Sequence, residues 1–126
     1  MAQYHHLTVY KSAFDFLLKL TQATANFQKS YRYTLGEKLI KDTNEFIVLI
    51  YRANSAKTTF ERVEVIKLLL EKLQTINISL RLCYELKNIP KGHYAQISEI
   101  SQDIEKQLNG WFSHTDKLLK KIIVIK

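Results

Sequence analysis

Three glycines and one proline in 126 residues leave this chain almost no means of turning sharply. Tight turns draw on glycine for positive φ and on proline for a preset φ, so an all-β sandwich or a doubly wound sheet would need far more of both. The spacing of apolar residues therefore has to be read as helical, and the chain as all-α. With 46% apolar residues the sequence can bury a core as a single domain, 1–126. Cys83 is the only cysteine, which rules out an intrachain disulfide and a zinc site built from several thiolates. A reducing compartment follows. The start, MAQYHHLTVYK, lacks the charged and apolar regions of a signal peptide, and no apolar run approaches the roughly 20 residues that cross a bilayer. The expectation is a cytoplasmic protein that does not enter membranes.

Four periodic segments follow in order. Tyr10, Phe14, Leu17, Leu18, Thr21 and Ala25 recur at steps of three and four and predict the inward face of a helix at about 7–26. After a short connection, Leu35, Leu39, Thr43, Phe46, Ile50 and Ala53, widened by Leu49, predict a second helix at about 31–54. Gly36 near its start suggests close packing. Thr58 with Glu61 three positions on has the pattern of a reciprocal N-terminal cap, opening a third helix at about 59–87. Ile66, Leu69, Leu73, Ile76, Leu80 and Cys83 form its seam, broadened by Leu70 and Leu82. The run 88–92 carries the only proline and reverses the chain. A fourth helix at about 93–116 then buries Ile97, Ile100, Ile104, Leu108 and Trp111, with Gly110 flattening the surface beside the indole. Four long helices joined by short connections fold most simply as an up-down-up-down antiparallel four-helix bundle.

The segment 117–126 forms a basic and aliphatic tail, with Lys117, Lys120, Lys121 and Lys126 around Leu118, Leu119, Ile122, Ile123, Val124 and Ile125. It reads as a continuation of the fourth helix, as a segment that packs on a neighbouring subunit, or as a membrane-surface anchor, and composition does not choose among them.

No constellation for catalysis emerges. His5 and His6 are adjacent, and His93 and His114 stand alone without carboxylates at metal-ligand spacing. Ser113, His114 and Asp116 are of the hydrolytic residue types, but near-consecutive helical positions cannot converge on one reacting atom. There is no glycine-rich phosphate loop. Cys83 falls on an apolar seam, where a thiol behaves as a small hydrophobe. No enzyme activity, metal or cofactor is expected.

Charge is more informative. From Gln28 to Lys41 the chain sets Lys29, Arg32, Lys38 and Lys41 against Glu37 alone, with Tyr31 and Tyr33 among them. Arg52, Lys57, Arg62 and Lys67 extend the positive character, offset by Glu61 and Glu64, while residues 95–116 hold Glu99, Asp103, Glu105 and Asp116 against Lys106. A basic face gains affinity for phosphates through counterion release, and tyrosines can stack on unpaired bases. The predicted nucleic-acid contacts are Lys29, Arg32, Lys38, Lys41, Arg52, Arg62 and Lys67, with Tyr31 and Tyr33 as stacking groups. The plainer reading is a solvated basic surface.

The stretch Asn26-Phe27-Gln28-Lys29-Ser30-Tyr31-Arg32-Tyr33-Thr34-Leu35-Gly36-Glu37-Lys38-Leu39 resembles the helix 1 to helix 2 junction of the accessory variability determinant (Avd) proteins, the small four-helix partners of reverse transcriptase in diversity-generating retroelements. Leu108-Asn109-Gly110-Trp111 is similar to the Leu-x-Gly-Trp segment of that family's last helix, and Leu80 to Leu86 occupies the place of its Leu/Arg-rich third-helix end. The four-helix proteins encoded by intervening sequences in bacterial large-subunit ribosomal RNA genes share the fold and a similar first junction, matched here by Leu7-Thr8-Val9-Tyr10-Lys11. Gln28 departs from both groups, which commonly place Pro there. The resemblance covers about residues 7–117. It implies a homopentamer with a positively charged surface that binds the reverse transcriptase and its template RNA or DNA. Such a protein supports mutagenic retrohoming without catalysing anything itself. Phe60, Leu70, Ile78 and Phe112 lie off the main seams and are candidate subunit contacts or peripheral core. The rival reading is a protein–protein assembly adaptor that binds no nucleic acid.

Overall fold

The computed structural model describes residues 7–125, with side chains through 124. Four long helices take up nearly all of them. α1 spans Thr8–Thr24; α2 opens with the turn Lys29–Tyr31, passes through a π-helical segment Arg32–Gly36 and continues as Glu37–Asn54; α3 spans Thr59–Glu85 and α4 Lys91–Ile125. Both α1 and α3 pack on α2 and on α4, which leaves α1 and α3 diagonal to one another. The core is a continuous cluster in which Phe16 and Leu20 of α1 meet Leu39, Phe46 and Ile50 of α2, Ile66, Leu69, Leu73 and Ile76 of α3, and Ile104 and Leu108 of α4. Burial of each such side chain contributes about 1.5–3 kcal/mol relative to exposure.

The inward faces of α2 and α3 match the spacing in sequence: Leu39, Thr43, Phe46, Ile50 and Ala53 are buried, as are Ile66, Leu69, Leu73, Ile76, Leu80 and Cys83. α1 does not match. Its buried residues are Val9, Ala13, Phe16, Leu20, Ala23 and Thr24. Phe14, Leu18, Thr21 and Ala25 are exposed, and Tyr10 and Leu17 are half-buried. Two apolar stripes run side by side along this helix, and the one that holds Ala13 and Ala23 along its middle and end is the one inside. Ala13 and Ala23 are buried in the core cluster with Phe16 and Leu20, and small side chains on a packed face allow neighbouring helices to approach. On α3, Leu82 likewise turns outward, 45% exposed, rather than broadening the seam.

The helix ends differ from the expected ones for identifiable reasons. α3 stops at Glu85 because Lys87 enters the left-handed region at φ 64°. The N–H of Asn88 then donates to Cys83 O (2.9 Å) and that of Lys87 to Tyr84 O (2.9 Å), the paired bonds of a Schellman cap. α4 begins at Lys91, since Pro90 lacks an N–H and suits the residue before a helix; Gly92 is already inside it. The segment 117–125 continues α4 without a break. At the start of α3 the Glu61 N–H donates to Thr58 Oγ1 (3.0 Å), but the return bond comes from Lys57 N–H to Glu61 Oε2 (3.2 Å), one residue earlier than a reciprocal cap places it.

Polar side chains fix the helices against one another. Ser101 Oγ donates to Asn77 Oδ1 (2.6 Å), and Gln74 Nε2 to Glu105 Oε1 (2.9 Å). Gln107 Nε2 donates to both Ser12 Oγ (3.0 Å) and Asp103 Oδ2 (2.7 Å). Buried Asn88 accepts from the Gln28 N–H (2.9 Å), tying the first connection to the third. The central ion pairs lie between α2 and α3, where Lys72 bridges Asp42 (3.2 Å) and Glu45, and Lys38 also meets Asp42 (2.7 Å).

Candidate nucleic-acid interface

The α1–α2 junction is built around Phe27, which is buried under the first turn of α2. Gly36 lies against it: a Cβ there would sit 3.4 Å from Phe27 Cδ2 and 3.5 Å from Thr24 Cβ, at the near edge of ordinary contact. The π-helical segment adds a residue to one turn, which changes the direction of the side chains before it relative to those after it. Tyr31 packs half-buried against the core, and Tyr33 stands 59% exposed. Tyr33 lines an open groove with Arg32, Ile40, Lys41 and Asn44, and the carboxylates of Glu37 and Glu45 line it too.

Arg32 and Arg62 have structural work that sequence spacing does not reveal. Arg32 Nη2 donates to Ala25 O (3.0 Å) and Phe27 O (3.4 Å), carbonyls left unpaired after α1 ends; its Nε is buried without a partner. Arg62 Nε donates to Ala53 O (3.0 Å), and its Nη2 to Asn54 O and Ala56 O (both 3.4 Å), which closes the end of α2 in the same way. A cation at a helix C-terminus satisfies orphan carbonyls and complements the helix dipole. These two guanidinium groups are committed to the fold, with only part of their surface facing water.

The remaining predicted cations divide further. Lys38 is held by Asp42, and Lys67 by Glu64 (3.0 Å). Lys29, Lys41 and Arg52 are exposed and form no ion pair with any described residue. Lys41 and Arg52 are three turns apart on α2, so they share one side of it, about 16 Å apart along the axis. Of the predicted contacts, the cations without an ion pair thus lie along α2, with Tyr33 near Lys41; exposed cations that form no ion pair with any described residue also lie elsewhere, among them Arg81, Lys87, Lys91 and Lys106. Of the candidate subunit contacts, Phe60 and Ile78 are on the surface, while Leu70 and Phe112 pack half-buried against the core.

Electrostatics sets the Asp42 carboxyl apart. Burial alone would raise its pKa, but the hydrogen bonds and charges of Lys38 and Lys72 outweigh that and hold it below its ordinary value. The Lys72 ammonium is raised, chiefly by its hydrogen bond to Glu45, against the opposing effect of burial. Cys83 is fully buried and its thiol is pushed up to about 11 by desolvation, so it has little thiolate character at neutral pH. His93 and His114 are both exposed, and no group of three or more His, Cys, Asp or Glu converges as a metal site among the described residues. His5, His6 and Lys126 lie outside the described residues. No helix among them is long and apolar enough to cross a membrane. In comparisons with protein families and with curated proteins, the chain matches none.

Proposed function

We propose that this chain is a non-catalytic accessory protein of the Avd type, which acts as a homo-oligomer, of five copies by that resemblance. It would hold a retroelement's reverse transcriptase and template RNA or DNA together for mutagenic retrohoming. The observation that carries the nucleic-acid part is the α2 surface, where Lys29, Lys41 and Arg52 form no ion pair with any described residue and exposed Tyr33 shares a groove with Lys41. Unpaired cations release counterions from a phosphate chain, and a neighbouring tyrosine adds stacking on unpaired bases. Arg32 and Arg62 take a lesser part in this reading, because their donors already serve helix ends. The reading includes an up-down-up-down antiparallel bundle. It is supported by cross-helix partners whose numbers fall on one helix as they rise on the next: Asn77 with Ser101 and Gln74 with Glu105, Ala53 with Arg62 and Asp42 with Lys72. A cytoplasmic location belongs to the same reading.

The test is fluorescence anisotropy with a labelled single-stranded RNA. Reversing Lys41→Glu and Arg52→Glu together is expected to weaken binding at least tenfold, and Tyr33→Ala is expected to weaken it about fivefold or more, as loss of one base stack does. Wild-type affinity in both variants would contradict the assignment of this surface.

A further inference from the structure

Lys87 occupies a backbone conformation that disfavours its own side chain. The chain needs a left-handed residue to close the cap at the end of α3, and Lys87 supplies it at φ 64°. Caps of this kind place glycine there, or asparagine, because the Cβ of other L-residues crowds the following carbonyl. Nothing in the cap asks for a lysine: its bonds run through the main-chain N–H groups of Lys87 and Asn88, and the Lys87 side chain is exposed. The ammonium forms no ion pair with any described residue. The α3 dipole favours a cation near its end, which is a contribution to stability and is not read by a binding measurement. A side chain held in a sparsely populated backbone region without a partner in the fold points to contact with something outside it.

The surroundings hold this residue in a fixed place. Asn88 and Ile89, which follow it, are buried. The rings of Tyr84 and Tyr94 stack with centroids 4.2 Å apart, which ties the end of α3 to the start of α4. Asn88 Oδ1 accepts from the Gln28 N–H (2.9 Å), so Lys87 and Lys29, the residues next to that bond, are neighbours across the third and first connections. Both are exposed, and neither forms an ion pair with any described residue. Between 81 and 91 the chain sets Arg81, Lys87 and Lys91 against Glu85. We propose that Lys87 is a phosphate contact for the same polyanion as Lys29, so that a single strand of nucleic acid passes from the α2 surface over the first connection to the third. This rests on the nucleic-acid part of the proposed function and adds to it a site that lies off α2. Rigid placement lowers the entropy lost when a phosphate is bound, which a lysine on a mobile segment would not do.

The test compares Lys87→Gly with Lys106→Gln in the full chain, by fluorescence anisotropy with the labelled single-stranded RNA. Each substitution removes one positive charge from an exposed position, and Lys106 lies on α4 in ordinary helix. Glycine suits the left-handed cap, so Lys87→Gly keeps the fold, as circular dichroism is expected to show. Lys87→Gly is expected to weaken binding about threefold or more at about 50 mM salt, and to reduce the slope of log affinity against log salt by about 0.7, the share of one single-strand phosphate contact. Lys106→Gln is expected to leave both unchanged. Wild-type affinity and slope in Lys87→Gly would overturn the proposal, while a loss on Lys41→Glu with Arg52→Glu would keep the α2 surface standing. Equal losses in Lys87→Gly and Lys106→Gln would also overturn it, because net charge and not place would then set the affinity. A wild type that binds no RNA would overturn it together with the nucleic-acid reading above.

Discussion

Single residues carry more of this fold than their type suggests. Lys87 occupies the left-handed position of the cap that ends α3, at φ 64°, where a side chain other than glycine's is strained. Replacing it removes the Cβ clash while keeping both cap hydrogen bonds, so Lys87→Gly is expected to stabilise the protein by about 1 kcal/mol in urea unfolding. Loss of stability would mean that the lysine side chain makes a contribution the cap geometry does not account for. Arg32 and Arg62 teach a related lesson. Each lies in a basic stretch and reads from sequence as a phosphate contact, yet each donates to carbonyls at the end of the preceding helix. Nothing in local spacing reveals this, because the acceptors are backbone atoms whose position depends on where that helix stops and how the chain re-enters.

At the scale of elements, α2 was legible because it carries one dominant inward stripe, and α3 because its seam recurs from Ile66 to Cys83 at helical spacing, although Phe60, Leu68, Ile78 and Leu82 lie exposed on its other side. α1 carries two such stripes, and periodicity cannot rank them: the one inside sets Ala13 and Ala23 with Phe16 and Leu20, and the other leaves Phe14 and Leu18 exposed. The π-helical segment Arg32–Gly36 was not legible either, since its residues are compatible with ordinary helix and the extra residue is absorbed to fit Phe27 and Tyr31 into the junction. The α2–α3 contact supplies a prediction about pH. Asp42 is lowered in the folded protein from an ordinary value of 3.8, so its contribution is present above that value and is lost as the pH falls through the lower folded value. Lys72 is raised and remains charged throughout that range. Asp42→Asn is therefore expected to cost about 1 kcal/mol at neutral pH, a modest figure because Lys38 is half exposed. It should also flatten the fall of stability below pH 4, as followed by urea midpoints. An unchanged acid dependence would show that Asp42 is not the group responsible.

Across the whole molecule, the cations divide by what they touch. Arg32 and Arg62 close helix ends, and Lys38, Lys67 and Lys72 pair with carboxylates, while Lys29, Lys41 and Arg52 on α2 are among the exposed cations that form no ion pair with any described residue. The all-helical class was legible from the scarcity of glycine and proline, and the basic, tyrosine-bearing junction from local charge. Which cations stay available was not, because it depends on partners brought together by folding. If these cations capture a polyanion, the affinity for single-stranded RNA falls as salt rises from about 50 to 200 mM. Three to four phosphate contacts per chain predict a fall of roughly twentyfold or more across that range. Binding that does not change with salt, or no binding at the lowest salt, would contradict it.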